Sequence, residues 1–106
     1  MGGDAADADV LDQMRADGID LSLPREVRYY LYVPTQADAN ALAIAVSGGG
    51  RQVGVEPAAL GSDWLVLVTE SAVVDLATLA ARREEFTRAV QAYGGEYDGW
   101  EAAAVP

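Results

Sequence analysis

Residues 27–33 read VRYYLYV and residues 64–69 read WLVLVT. In the first stretch Val27, Tyr29, Leu31 and Val33 share one face, while Arg28, Tyr30 and Tyr32 share the other, the period of two of a half-buried strand. Pro34 ends it. In the second stretch both faces are apolar, which places the strand in the centre of a sheet. Two more polar stretches complete the set. Arg51 to Glu56 is short and polar, as edge strands are, and Glu96 to Ala102 reads as a last, polar strand.

Helices fall between these strands. Thr35-Gln36-Ala37-Asp38 resembles a capping box and opens a helix to about Ser47, with Ala41, Leu42, Ala45 and Val46 as its expected buried stripe. Gly48-Gly49-Gly50 ends it. A second helix runs from about Asp75 to Tyr93. Leu76, Leu79, Phe86, Val90 and Tyr93 form its apolar stripe, Ala80 and Ala89 lie beside it, and Gly94-Gly95 closes it. Near the N-terminus Val10, Leu11 and Met14 suggest a further helix, capped by Asp9 and stopped by Gly18. Ile19, Leu21 and Leu23 alternate with polar residues and read as an extended segment ended by Pro24; Pro57 to Asp63 is loop. The order β-α-β-β-α-β after an N-terminal helix predicts an α+β, ferredoxin-like antiparallel sheet in one domain spanning residues 1–106. Right-handed crossovers put strands one and three in the middle, strands two and four at the edges, and both main helices on one face.

Charge narrows the function. Seventeen acids face seven arginines, with no Lys and no His, for a net charge of −10 over 106 residues. Binding a polyanion needs clustered basic side chains, so nucleic acid and anionic membranes are poor partners, and a basic protein is a good one. The chain lacks Cys, His and Lys, and with them the common nucleophiles and bases, so we expect no enzyme and no cofactor. Glu84-Glu85 reads as a solvated helix face. Glu96 and Asp98, on one face of an edge strand, have no pocket to separate their pKa values. Asp4, Asp7, Asp9 and Asp12 lack the glycine turn and closing glutamate of a calcium loop, so no metal is expected. Gly48 to Gly50 end a helix instead of opening one, which gives the wrong dipole sign for phosphate. No apolar run is long enough to span a bilayer, and the first residues do not read as a signal peptide, so a cytoplasmic location is expected.

Two aromatic groups remain. Arg28, Tyr30 and Tyr32 could stack bases, as in RNA-binding sheets of this topology, or face a second copy or the N-terminal segment. The run Gly94-Gly95-Glu96-Tyr97-Asp98-Gly99-Trp100-Glu101 alternates aromatics with acids and glycines. It reads either as a turn and strand whose Trp100 caps the core, or as an acidic-aromatic patch for a protein partner. The expected partner-binding residues are Glu96, Tyr97, Asp98, Trp100 and Glu101. A regular strand would send Tyr97 to the face opposite Glu96, Asp98 and Trp100.

GGEYDGWE resembles the C-terminal signature of the ribonuclease E inhibitor B family, also called regulator of ribonuclease activity B. Asp17-Gly18 followed by Pro24-Arg25, the glycine-ended helix before Arg51-Gln52-Val53, and Asp63-Trp64 fit the same layout. The resemblance implies a ferredoxin-like fold and a role in lowering RNA cleavage by binding endoribonuclease E, without chemistry. Better-known members continue into a long acidic tail, whereas this sequence closes on Ala102-Ala103-Ala104-Val105-Pro106. An activity that needs the tail does not carry over with the motif. The rival readings are an RNA-binding module on Tyr30 and Tyr32, and a ferredoxin-like dimer holding a small ligand across its sheet.

Overall fold

The computed structural model describes residues 2–103, with side chains described from Ala6 onward. Its elements are α1 (Gly2–Ala16), β1 (Arg25–Val33), α2 (Gln36–Val46), β2 (Gln52–Pro57), β3 (Trp64–Ala72), α3 (Leu76–Gln91) and β4 (Glu96–Ala102). The sheet order is β2-β3-β1-β4 and every neighbouring pair is antiparallel, which is the expected ferredoxin-like arrangement. Val27, Tyr29, Leu31 and Val33 are buried, and β3 adds Val66 and Val68 beside them. Leu42 and Val46 of α2 and Leu79, Phe86 and Val90 of α3 join the same cluster, so both helices cover one face of the sheet. α1 packs on α3 through Leu11 and Met14. Among the described residues the other face of the sheet carries no helix.

Local chemistry explains the element ends. Thr35 caps α2 by accepting from the Asp38 amide at 3.1 Å, and Asp75 caps α3 by accepting from the Thr78 amide at 2.7 Å. α1 ends at Gly18, whose φ of +84° suits glycine, with the Ile19 amide reaching back to the Met14 carbonyl at 3.1 Å.

Several expectations need correction. α1 starts well before Val10, and Asp9 lies inside it, because Ala and N-terminal acids both favour helix. Leu11 and Met14 turn inward while Val10 stays exposed. The segment around Ile19 to Leu23 is a turn, not extended: the Asp20 carboxylate accepts from both the Ser22 amide and hydroxyl and folds the chain over itself. In α2 the stripe is Ala39, Leu42, Ala43 and Val46, the i, i+3, i+4, i+7 set; Ala45 faces solvent and Ala41 is only half-buried. Leu76, the first residue of α3, is exposed because the helix has not yet reached the sheet there. β3 runs three residues past Thr69, to Ala72, and that extension brings Glu70 into the interior.

Candidate functional site

The GGEYDGWE run joins α3 to β4, and each glycine has a separate steric task. Gly94 turns the chain out of the helix at φ +67°, and the Gly95 amide then donates to the Val90 carbonyl at 2.9 Å. A Cβ on Gly95 would strike the Tyr32 carbonyl oxygen and come within 2.7 Å of Val33 Cγ1, so only glycine lets this turn approach β1. Gly99, at φ +107°, sits in a β-bulge. Tyr97 pairs with Leu31 and Trp100 with Tyr29, so Asp98 and Gly99 together oppose the single residue Tyr30.

That bulge overturns the alternation expected of a regular strand. Tyr97 and Trp100 fall on the same, helix-covered face, packed against the core. Phe86 stacks at a tilt between Tyr29, 5.0 Å away, and Tyr97, 5.8 Å away. The Trp100 indole donates to Asp7 Oδ1 at 2.8 Å, and Arg83 holds the other Asp7 oxygen at 3.2 Å. Burial, and then the charge of Asp7, push the Tyr97 phenol well above its ordinary pKa. The motif thereby fastens α1 to α3 and β4. Of the carboxylate stretch read at the N-terminus, Asp7 is engaged in this way, and the side chain of Asp4 lies outside the described residues.

The three acids of the motif go elsewhere. Glu96 pairs with Tyr32 and Glu101 with Arg28, which puts both on the helix-free face, while Asp98 projects from the bulge; all three are exposed. Glu101 accepts from the Tyr30 hydroxyl at 2.7 Å, and this bond raises the Tyr30 pKa. The five residues expected at the partner surface therefore divide: Glu96 and Glu101 on the open face, Asp98 beside it, Tyr97 and Trp100 beneath it.

A second constellation escaped the sequence reading. Glu70 lies on the helix side of β3 with its side chain 9% exposed. It accepts from Tyr29 Oη at 2.6 Å and from Arg82 Nε at 2.8 Å, with Arg51 Nε at 3.8 Å. Arg51 in turn grips both oxygens of Glu85, at 2.7 and 2.8 Å, donates to the Val46 carbonyl at the end of α2, and lies 5.1 Å from the Phe86 ring centre. Glu85 is therefore a structural ion-pair partner and not part of a solvated face; Glu84, beside it, is the exposed residue and pairs with Arg88 at 2.7 Å. Burial drives the Glu70 carboxyl up, but the donors Arg82 and Tyr29 and the two arginine charges outweigh it and hold the pKa below its ordinary value. Its phase with Val66 and Val68 was the available signal: a charge at a buried strand position needs partners.

The cations are all occupied. Arg15 pairs with Asp12, Arg28 with Glu26, Arg51 with Glu85, Arg82 with Glu70, Arg83 with Asp7 and Arg88 with Glu84. The seventh, Arg25, is buried and donates to the carbonyls of Asp20 and Ala103 at 2.8 Å each. Among the described residues Glu56, Glu96 and Asp98 have no such partner. Among the described residues no group of three or more His, Cys, Asp or Glu is arranged to hold a metal ion, and no helix is long and apolar enough to cross a membrane.

The family model described as Regulator of ribonuclease activity B matches residues 4–102, nearly the whole chain. That description is of a regulator of ribonuclease activity and not of a catalyst. No curated protein matches the chain.

Proposed function

We propose, from the premise that this chain belongs to the regulator of ribonuclease activity B family, that it lowers RNA cleavage by binding an endoribonuclease E-like protein, without chemistry of its own. The observation that carries this reading is the imbalance of charge at the surface. Every arginine has a partner within the chain, Arg15, Arg28 and Arg88 at the exposed surface and the other four partly or fully buried, while Glu96, Asp98 and Glu101 stand exposed along β4. Such a surface repels the RNA backbone and attracts a cationic protein segment. Tyr97 and Trp100 contribute from below, by fixing the bulge that aims those carboxylates. The reading has the chain meet its nuclease in the cytoplasm.

The test is cleavage of a labelled RNA by the host's endoribonuclease E with increasing amounts of this protein, alongside titration of the protein against the same RNA. Inhibition with no submicromolar binding to RNA is expected. Submicromolar binding to RNA would sink the protein-contact mechanism and favour stacking on Tyr30 and Tyr32.

A further inference from the structure

The helix-free face of the sheet is a map of rows fixed by strand register. One row runs Glu56, Leu65, Tyr32, Glu96 across β2, β3, β1 and β4. The next runs Gly54, Leu67, Tyr30, and the third Gln52, Thr69, Arg28, Glu101. An apolar centre of Tyr30, Tyr32, Leu65 and Leu67 is thus bordered by glutamates on both edge strands.

Gly54 is the anomaly in this map. Glycine inside a strand weakens it and needs a reason. The other glycines from Gly18 onward have one: positive φ, or in Gly95 a close backbone. Gly54 has neither, since its φ is not positive and a Cβ added to it would meet nothing within 4 Å. What its missing side chain does is leave open space beside Leu67, its half-buried pair on β3, as a notch that can receive an approaching backbone.

We infer that this face docks an extended, cationic segment of the protein partner, lying across the strands with its backbone over the Gly54–Leu67 notch and an arginine or lysine on each of Glu56 and Glu96. The inference rests on the protein-contact reading above and adds the surface and the chemistry of what it takes. Three inter-strand steps separate the two glutamates, about 14 Å, which an extended chain covers in about four residues. A second copy of this chain is the wrong occupant: apposed faces would set Glu56 and Glu96 against glutamates, and the one cation in these rows, Arg28, is already paired with Glu26 at 3.2 Å. RNA is wrong for the same lack of free cations.

The experiment compares the wild type, Gly54→Val and the double variant Glu56→Gln/Glu96→Gln. The probes are a labelled peptide with two arginines about four positions apart around a leucine, its glutamate counterpart, an RNA oligonucleotide and endoribonuclease E. Valine suits a strand, so Gly54→Val should melt no lower than wild type yet bind the arginine peptide and the nuclease at least tenfold more weakly. The double variant, altered only at exposed carboxylates, should lose the same binding and most of its salt dependence. If Gly54→Val and the double variant both capture the nuclease as wild type does, this surface is wrong while the protein-contact reading survives. If the wild type binds the arginine peptide but not the nuclease, the surface stands and the nuclease reading falls. Equal binding of the glutamate peptide, RNA binding lost on Gly54→Val, or a dimer that this substitution dissolves would each overturn the inference.

Discussion

Glu70, on the helix side of β3, and Glu96, on the open side of β4, carry the same carboxylate and are handled in opposite ways. Glu70 has Tyr29, Arg82 and Arg51 around it. Glu96 has no cation among the described residues. A buried carboxylate without donors would be costly, so the fold commits its arginines there first. The chain has only seven cations for seventeen acids. What is left over is negative, and β4 presents part of it beside an apolar sheet face. The difference separates carboxylates that hold the fold from carboxylates free to meet a partner, a division that net charge alone does not reveal.

The largest effect expected on the structural side is at Phe86, which is fully buried and lies under Arg51 between Tyr29 and Tyr97. Phe86→Ala should cost about 3–5 kcal/mol. Denaturant titration measures it; a loss under about 1 kcal/mol would show that α3 does not present this face to the sheet. Partner binding by whatever fraction stays folded should be unchanged.

Glu70→Gln comes next. It keeps the shape and removes one of the two carboxylates that face Arg82 and Arg51, leaving Glu85 alone to balance both. The cost should be about 2–3 kcal/mol, less than for a wholly buried pair because Arg82 remains 28% exposed. Its pH dependence has a definite sign. The folded pKa is depressed, so the stabilisation is complete above the unfolded value, about 4.3, and is lost as pH falls through the lower folded pKa. Glu85, held down first by its hydrogen bond from Arg51, adds in the same direction. Melting curves from neutral to acid pH should therefore fall less steeply for Glu70→Gln than for wild type; parallel curves would mean that Glu70 is not paired in solution.

Gly99→Ala probes the boundary between the two regions. A φ of +107° is strained for any residue with a Cβ, at about 1–3 kcal/mol. The expected loss is about 1–2 kcal/mol, together with disturbance of the Trp100–Asp7 bond, read as a shift in Trp fluorescence. An unchanged spectrum and melting point would argue that the bulge is not required to seat Trp100.

Much of the architecture could be read from VRYYLYV and WLVLVT, because alternation and double-sided apolarity report directly on burial. Strand order followed from crossover handedness. The interior polar cluster did not follow, because Arg51 and Glu70 are far in sequence from Arg82 and Glu85 of α3, and apart from the strand phase of Glu70 nothing marks them as interior until the fold brings them together. The two faces of β4 were misassigned for a local reason. Alternation assumes one residue per pleat, and Asp98-Gly99 puts two where β1 has only Tyr30. The glycine that makes this allowable was in view, but a glycine in a strand signals a bulge only once its pairing partner is known. Which acids the inner arginines hold was equally hidden, since the partners of Arg51, Arg82 and Arg83 are brought to them by tertiary structure.

The smallest effect on stability, and the most direct on function, is expected from the exposed acids. Asp98→Ala and Glu96→Gln remove side chains with no cation partner among the described residues, so melting should change by less than about 0.5 kcal/mol equivalent. Glu101→Ala also frees the Tyr30 hydroxyl, an exposed bond whose loss should be slightly larger but still small. Exposed charges act mainly on encounter, so each substitution should slow association with a cationic partner and reduce the salt dependence of the rate, leaving dissociation almost untouched. Arg28→Ser supplies the opposite sign. Arg28 pairs with Glu26 at 3.2 Å on the same face, so its loss uncovers that carboxylate and makes the face more negative. Association should then quicken at low salt and converge with wild type as salt screens the field. Stopped-flow mixing with the nuclease at several ionic strengths measures all four variants together. If the three acid variants and Arg28→Ser all shift the rate the same way, or none does, the open face and its β4 border are not where the partner arrives.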